Sequence, residues 1–283
     1  MQEQMIEAIT EWIEANLSLQ ITPNDIVIYS GYSRRYIYNL FNNYVNLSPG
    51  KYIKYRRLSQ AAIRLRLTSE SITKIACSLC FDSIQSFSRE FKKLFGISPR
   101  HYRHSNEWDM SNLYAPLKLN QSSLPRFKLV TREAVSFSGC ELEYSEKVSF
   151  HLLRSRRLKL DIIIKNINFY HSDIYLLSDA SPSTNNEDKM VIHLLAGIKK
   201  EADSTVPMAR ELHIPVGLYA NFSFSGTWES YADIPNRIYF EELPRHKLKR
   251  APGHDIEHIL YTGEIHHSEG YQFNIEYYVP VSL

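Results

Sequence analysis

Residues 81–103, FDSIQSFSREFKKLFGISPRHYR, decide the fold of the first third of this chain. Asp82-Ser83 supplies a tight turn and a helix N-cap, and Phe87, Phe91 and Leu94 then recur at helical spacing to give one apolar stripe. The helix so defined spans residues 84–95 and ends before Ser98-Pro99. Its opposite face carries Ile84, Gln85, Ser88, Arg89 and Lys92. A shorter helix, residues 72–80, precedes the turn, so the unit reads as helix, turn, helix.

Sliding the chain by fifty positions finds the same unit again without a gap. Ser33 falls on Ser83, Phe41 on Phe91, Ser48-Pro49 on Ser98-Pro99, and Tyr52 on Tyr102. In this copy residues 25–30 are the short helix, Gly31 provides a residue tolerant of positive φ, and Ser33 caps a helix over 34–44. Ile37, Leu40, Phe41 and Tyr44 make its apolar stripe, while Arg34, Arg35, Tyr38, Asn39 and Asn42 face outward. Packing faces are matched and outward faces differ, which is what reading two different short DNA sequences requires.

Arg pairs bidentately with guanine, Asn and Gln with adenine, and Ile touches the thymine methyl. Arg35, Asn39, Gln85 and Arg89 are therefore the leading base readers. Residues 51–67 hold helical spacing without Gly or Pro, with Tyr55, Leu58, Ala62 and Leu65 inward. A stiff helix there would set the two reading helices into successive major grooves, about 34 Å apart. Candidates for phosphate contact are Arg34, Lys51, Lys54, Arg56, Lys74, Lys92, Lys93, Arg100 and Arg103.

The charge distribution agrees. The formal net charge is +2, but residues 1–105 carry 14 Lys and Arg against 8 Asp and Glu, and the remainder 19 against 23. A length of 283 residues predicts two domains, and 43% hydrophobic with 23% charged residues is the balance of a soluble globular protein. The opening MQEQMIEAITEWIEA has acids where a signal peptide has a basic end, and no apolar run spans a bilayer, so a cytoplasmic, nucleoid-associated location is expected. Cys77, Cys80 and Cys140 are expected to be reduced thiols.

Residues 55–103 resemble the DNA-binding domain of the AraC/XylS family of transcription regulators, within the group typified by MarA, SoxS and Rob; the match spans about residues 5–108. The resemblance implies a bacterial activator that binds an asymmetric promoter site as a monomer on double-stranded DNA and contacts RNA polymerase. It also implies base contacts from Arg35, Tyr38 and Asn39 in the first unit and Ile84, Gln85, Ser88 and Arg89 in the second. The group commonly has Trp, Gln and Arg where this chain has Arg35, Tyr38 and Asn39, and Gln in place of Ile84. A different promoter element is therefore expected in the half read by the first unit.

Residues 106–123 lose helical periodicity and gain Pro and Ser. The expected division is a double helix-turn-helix domain over 1–107, a linker over 108–122, and a second domain over 123–283. Strands are predicted at 127–139, 173–177, 190–196, 216–224, 255–261 and 271–281, and helices at 145–166 and 227–243. That is an α+β domain with an internally duplicated sheet, following an all-α one. GLYANFSFSG from Gly217, DIEHILY from Asp255 and the terminal Tyr-Val-Pro-Val resemble the GyrI-like effector-binding domain of Rob. The resemblance implies a cleft for apolar, often cationic, small molecules, with Glu257 as its acid and Glu276, Trp228, Tyr239 and Tyr261 around it.

Other signals carry less. The C-x-x-C of Cys77 and Cys80 falls on the short helix of the second unit with no second pair at zinc spacing, and is read as helix packing. His254, Glu257 and His258 would suit a metal only on a helix, whereas a strand is predicted; His266-His267 is assigned to a hairpin. No phosphate-binding glycine loop, nucleophile elbow or ordered triad is present. No cofactor and no enzyme activity are expected. The reading is a sequence-specific transcription regulator controlled by a small apolar or cationic ligand or by sequestration; the alternative is a DNA-binding protein whose second domain is a small-molecule hydrolase.

Overall fold

The computed structural model of the protein describes residues 2–119, 125–148, 153–200, 210–263, 266–267 and 270–283. Two compact units emerge: Met1–Ser105 with Asn112–Ser122, and Asn106–Ser111 with Ser123–Leu283.

The first unit is helical: α1 (Gln2–Ala15), α2 (Pro23–Ser30), α3 (Arg34–Val45), α4 (Pro49–Leu67), α5 (Ile72–Ser78), α6 (Ile84–Phe95) and α7 (Pro99–His104). The fifty-residue repeat is carried into local structure. Ser33 accepts a hydrogen bond from the Tyr36 amide and Ser83 one from the Ser86 amide, at 3.3 and 3.1 Å, so the same residue caps both α3 and α6. At the other ends Asn46 and Gly96 take matching left-handed conformations, φ 60° and 79°. The short helices close differently. Gly31 turns at φ 72°, whereas in the second copy the left-handed residue is Cys80 at φ 59°, one position earlier in the repeat frame. Cys77 is exposed, so the packing role assigned to it does not hold. Ser83→Ala is expected to lower stability by about 1 kcal/mol, measured as a shift in the urea midpoint at unchanged slope.

α1, which the repeat does not contain, gives its Ile6, Ile9 and Ile13 to a core shared with Ile26, Ile37, Leu40, Phe41, Tyr52 and Ile53. The second copy packs around an aromatic run in which Phe87, Phe91, Phe95 and Tyr102 lie with ring centroids 4.5–5.6 Å apart. Between the cores α4 is buried on more than one side. Leu58, Ala62 and Leu65 are buried as predicted and Tyr55 is half-buried, but Arg56, Ser59, Ala61 and Ile63 are buried as well.

The stretch predicted as a linker is shared between the units. Residues 112–119 dock on helices of the first: the Tyr114 amide donates to Ser59 Oγ at 2.8 Å, the Leu117 amide to the Tyr52 hydroxyl at 3.3 Å, and the Leu119 amide to Glu7 Oε1 at 2.7 Å. Trp108–Asp109 (β1) instead pairs with Lys249–Arg250 (β8) of the second unit.

That second unit is built on strands β2 (Arg126–Arg132), β3 (Val135–Lys147), β4 (Ile174–Pro182), β5 (Lys189–Lys199), β6 (Arg210–Ile214), β7 (Gly217–Thr227), β9 (Asp255–Leu260) and β11 (Gly270–Ser282). They run in the order β2-β7-β11-β9-β4-β5-β3-β6, each neighbouring pair antiparallel, with β10 (His266–His267) hydrogen-bonded to β11. Helix α8 (Leu153–Tyr170) packs over β4 and β5. Short turns α9 (Trp228–Tyr231) and α10 (Ile234–Arg237), a π-helical turn at Ile238–Glu242, and α11 (Leu243–Arg245) follow β7. The single strand predicted over 127–139 is two strands, β2 and β3, interrupted at Glu133-Ala134 and paired with different neighbours. The helix predicted from residue 145 starts later, because Ser145–Lys147 still pairs with Lys189–Val191.

Candidate nucleic-acid interface and effector site

Burial along α3 and α6 matches position by position, with one difference, Leu40 buried against Glu90 half-buried. The structure therefore places Arg34, Arg35 and Asn39 of α3 and Ile84, Gln85 and Arg89 of α6 on exposed faces, with Tyr38 and Ser88 half-buried at equivalent positions. The Arg89 side chain is 75% exposed. Ser33 and Ser83 fix where each helix begins, and the apolar stripe fixes its rotation, so these outward groups are aimed by the core beneath them.

Among the candidate phosphate contacts, Lys51, Lys74, Lys92, Lys93 and Arg100 are exposed. The Arg34 guanidinium stands over the Tyr38 ring and Lys51 over Tyr55, at 5.6 and 5.3 Å. Lys54 reaches Glu90 at 2.6 Å and ties α4 to α6; hydrogen bonding from Lys54 holds the Glu90 carboxyl below its ordinary range. Two candidates are corrected. Arg56 is fully buried, forked onto both oxygens of Glu14 at 2.6 and 2.8 Å. Arg103 points inward, donating to the carbonyls of Leu65 and Glu70 at 3.1 and 2.6 Å.

In the second unit strand register decides which predicted residues share a site. Glu257 of β9 pairs with Tyr277 of β11 and with Leu176 of β4, so these lie on one sheet face. That face carries the helices: Tyr231 of α9 donates its hydroxyl to Glu257 Oε2 at 2.7 Å, and Lys159 of α8 ion-pairs with Oε1. Trp228 is buried beside Tyr231 and Phe273, with centroids 5.5 and 5.8 Å away. Phe224 completes an aromatic wall against Tyr231 at 5.3 Å. Burial, then the Glu257 charge, pushes the Tyr231 phenol well above its ordinary range, so it stays a donor at neutral pH.

Glu276 does not join this group. It pairs with His258, one residue out of phase with Glu257, and so faces the other side of the sheet, where Asn221 and Ser223 each donate to Oε2 at 2.8 Å. Tyr239 is on the Glu257 side but is committed to Asp255, together with Tyr277 at 2.7 Å and Arg250 at 3.2 Å. Tyr261 lies past the end of β9, its amide donating to Asp173 at 2.9 Å. Alternation on β9 likewise turns Glu257 and His258 to opposite faces, and the His258 ring meets Asp173 at 2.8 Å. Lys159 and Tyr231 were not foreseen. The legible signal for Lys159 was its place one turn before Ile163 and two before Ile167, on the buried stripe of α8.

Residues 27–105 match the family model described as a helix-turn-helix domain, and residues 128–281 the model described as integron-associated effector binding protein. The putative HTH-type transcriptional regulator YkgA of Escherichia coli is 40% identical over 77% of this chain and 90% of its own length. Transcriptional regulator Rob of Salmonella typhimurium is 30% identical over 87% and 86% of the two chains. The F1 operon positive regulatory protein of Yersinia pestis is 32% identical over 91% and 83%.

Proposed function

The chain belongs to the AraC-type helix-turn-helix transcription regulators of the Rob-like group, which join a DNA-binding domain to an effector-binding one, and from that membership we propose that it is a ligand-responsive activator. It reads an asymmetric promoter site as a monomer in the cytoplasm, through α3 and α6 in successive major grooves. Arg35, Tyr38, Asn39, Ile84, Gln85, Ser88 and Arg89 contact bases. Arg34, Lys51, Lys54, Lys74, Lys92, Lys93 and Arg100 contact phosphates. The observation that carries this is the pair of helices with matching buried faces and unlike exposed ones. A positive sign is supported by the Yersinia pestis relative, named as a positive regulatory protein, and contact with RNA polymerase would deliver it. The second unit takes a small apolar molecule against the Trp228, Tyr231 and Phe273 wall near Glu257, or holds the protein sequestered, and so sets how much of it is active. Selection of bound duplexes from a random library is expected to return one asymmetric motif with two elements about one helical turn apart. Equal recovery of all duplexes would reject the reading.

A further inference from the structure

The carboxylate of Glu257 stands on β9, at the seam between the strands covered by α8 and those covered by α9. Each cover sends it one side chain. Lys159 takes Oε1 and Tyr231 takes Oε2, and the carboxylate is fully buried while the Lys159 side chain is 18% exposed. A carboxylate buried alone would favour any cation that could reach it, because its desolvation is otherwise uncompensated. Here the compensating cation belongs to the chain. It also comes from the more accessible side, since Tyr231 is itself buried against Trp228 and Phe224.

We propose that Lys159 is a tethered counter-ion that fills the cation position of the effector site, so that the protein excludes lipophilic cations and accepts uncharged aromatic molecules instead. This rests on the effector-site reading above. A guest cation would have to break a desolvated ion pair and displace the Lys159 ammonium from the carboxylate that holds it, and both costs oppose entry. An uncharged guest leaves that ion pair intact. It meets the aromatic wall of Phe224, Trp228 and Phe273, and it can accept a hydrogen bond from Tyr144. That hydroxyl lies on the same sheet face, within electrostatic reach of Lys159 and Glu257, and is buried with no partner among the described residues. An anion is disfavoured by the acids already gathered under the helices, with Glu146 and Asp255 buried on the same face as Glu257.

The test uses the full-length protein and two probes, tetraphenylphosphonium as the lipophilic cation and N-phenyl-1-naphthylamine as the neutral aromatic, read by calorimetry and fluorescence. Wild type is expected to bind the neutral probe and to reject the cation. Lys159→Met should bind tetraphenylphosphonium at least about tenfold more tightly than wild type, whereas Lys159→Arg should reject it as wild type does. In the Lys159→Met background, Glu257→Gln should remove the gain. Lys159→Gln, which still offers Glu257 a donor, replaces the Met variant if that one does not fold, and the same gain is expected. Wild type binding the cation as tightly as the Lys159 variants, in competition with the neutral probe, would leave the site standing and overturn the selection. Binding of neither probe by any of the proteins would reject the effector site, and the selection with it.

Discussion

Replacing Glu14 by alanine is expected to destabilise the DNA-binding unit by about 3–5 kcal/mol, far more than an ordinary truncation of a helix-surface glutamate. Glu14 is 15% exposed, but the Arg56 guanidinium that it holds is not exposed at all, and the variant takes from that buried charge the carboxylate that two of its nitrogens hold. Arg56 also donates to the carbonyl of Tyr114, so one guanidinium joins α1, α4 and the segment over 112–119. Hydrogen exchange is the direct readout: protection of the α1 and α4 amides should fall by roughly two to three and a half orders of magnitude, and the urea midpoint should fall with it. The double variant Glu14→Leu/Arg56→Met removes both charges and should recover most of the loss, since the penalty lies in a buried charge stripped of this carboxylate and not in the absence of the pair. A Glu14→Ala protein as stable as wild type would mean that Arg56 is hydrated, against its burial.

The same arginine shows where reading the sequence stops. The reading helices were legible because a buried stripe at i, i+3, i+4, i+7 leaves no freedom in which side chains face out, and the fifty-residue repeat tested the assignment twice. Whether an arginine on a helix buried on several sides faces water is a different question. It depends on partners distant in sequence: Glu14 lies 42 residues from Arg56, and Arg57 donates to the Leu17 carbonyl 40 residues away. Arg64 forks onto Glu70, Arg66 holds the Tyr102 carbonyl, and Arg103 those of Leu65 and Glu70. Five arginines counted as a basic surplus are therefore engaged inside the unit, and the exposed positive charge sits instead on Arg34, Arg35, Lys51, Lys74, Arg89, Lys92, Lys93 and Arg100.

In the effector domain the limit was phase. Glu257 and Glu276 look alike in sequence, each in an alternating strand, but the β9–β11 register pairs Glu276 with His258 and Tyr277 with Glu257, and so separates the two acids by the thickness of the sheet. Pairing register is a long-range property that a single strand does not contain. Glu133-Ala134 similarly separates β2 from β3 without a Gly or Pro that would announce the break. The partner of Glu257 was hidden for another reason: a lysine in a helix is read as solvated unless its place on the buried stripe is weighed against its charge.

Arg89→Ala is expected to cost about 1–3 kcal/mol of specific affinity and to relax the preference at one base of the element read by α6, leaving the α3 element unchanged. The argument is positional. Arg89 stands two residues before the buried Phe91, near the middle of the outward face of α6, so its guanidinium can reach the O6 and N7 edge of a guanine, and alanine leaves that edge unread. Lys93→Ala, one turn further along α6, should behave differently: affinity falls by a similar factor on every duplex, and the slope of log affinity against log salt drops by about one. Arg35→Ala is the counterpart in α3 and should relax the other element alone. Competition binding of all three variants on a set of single-base variants of the selected motif, at two salt concentrations, separates these outcomes. If Arg89→Ala weakens every duplex equally and lowers the salt slope as Lys93→Ala does, then Arg89 meets phosphate, α6 does not lie with this face against the bases, and the assignment of both exposed faces would have to be rotated.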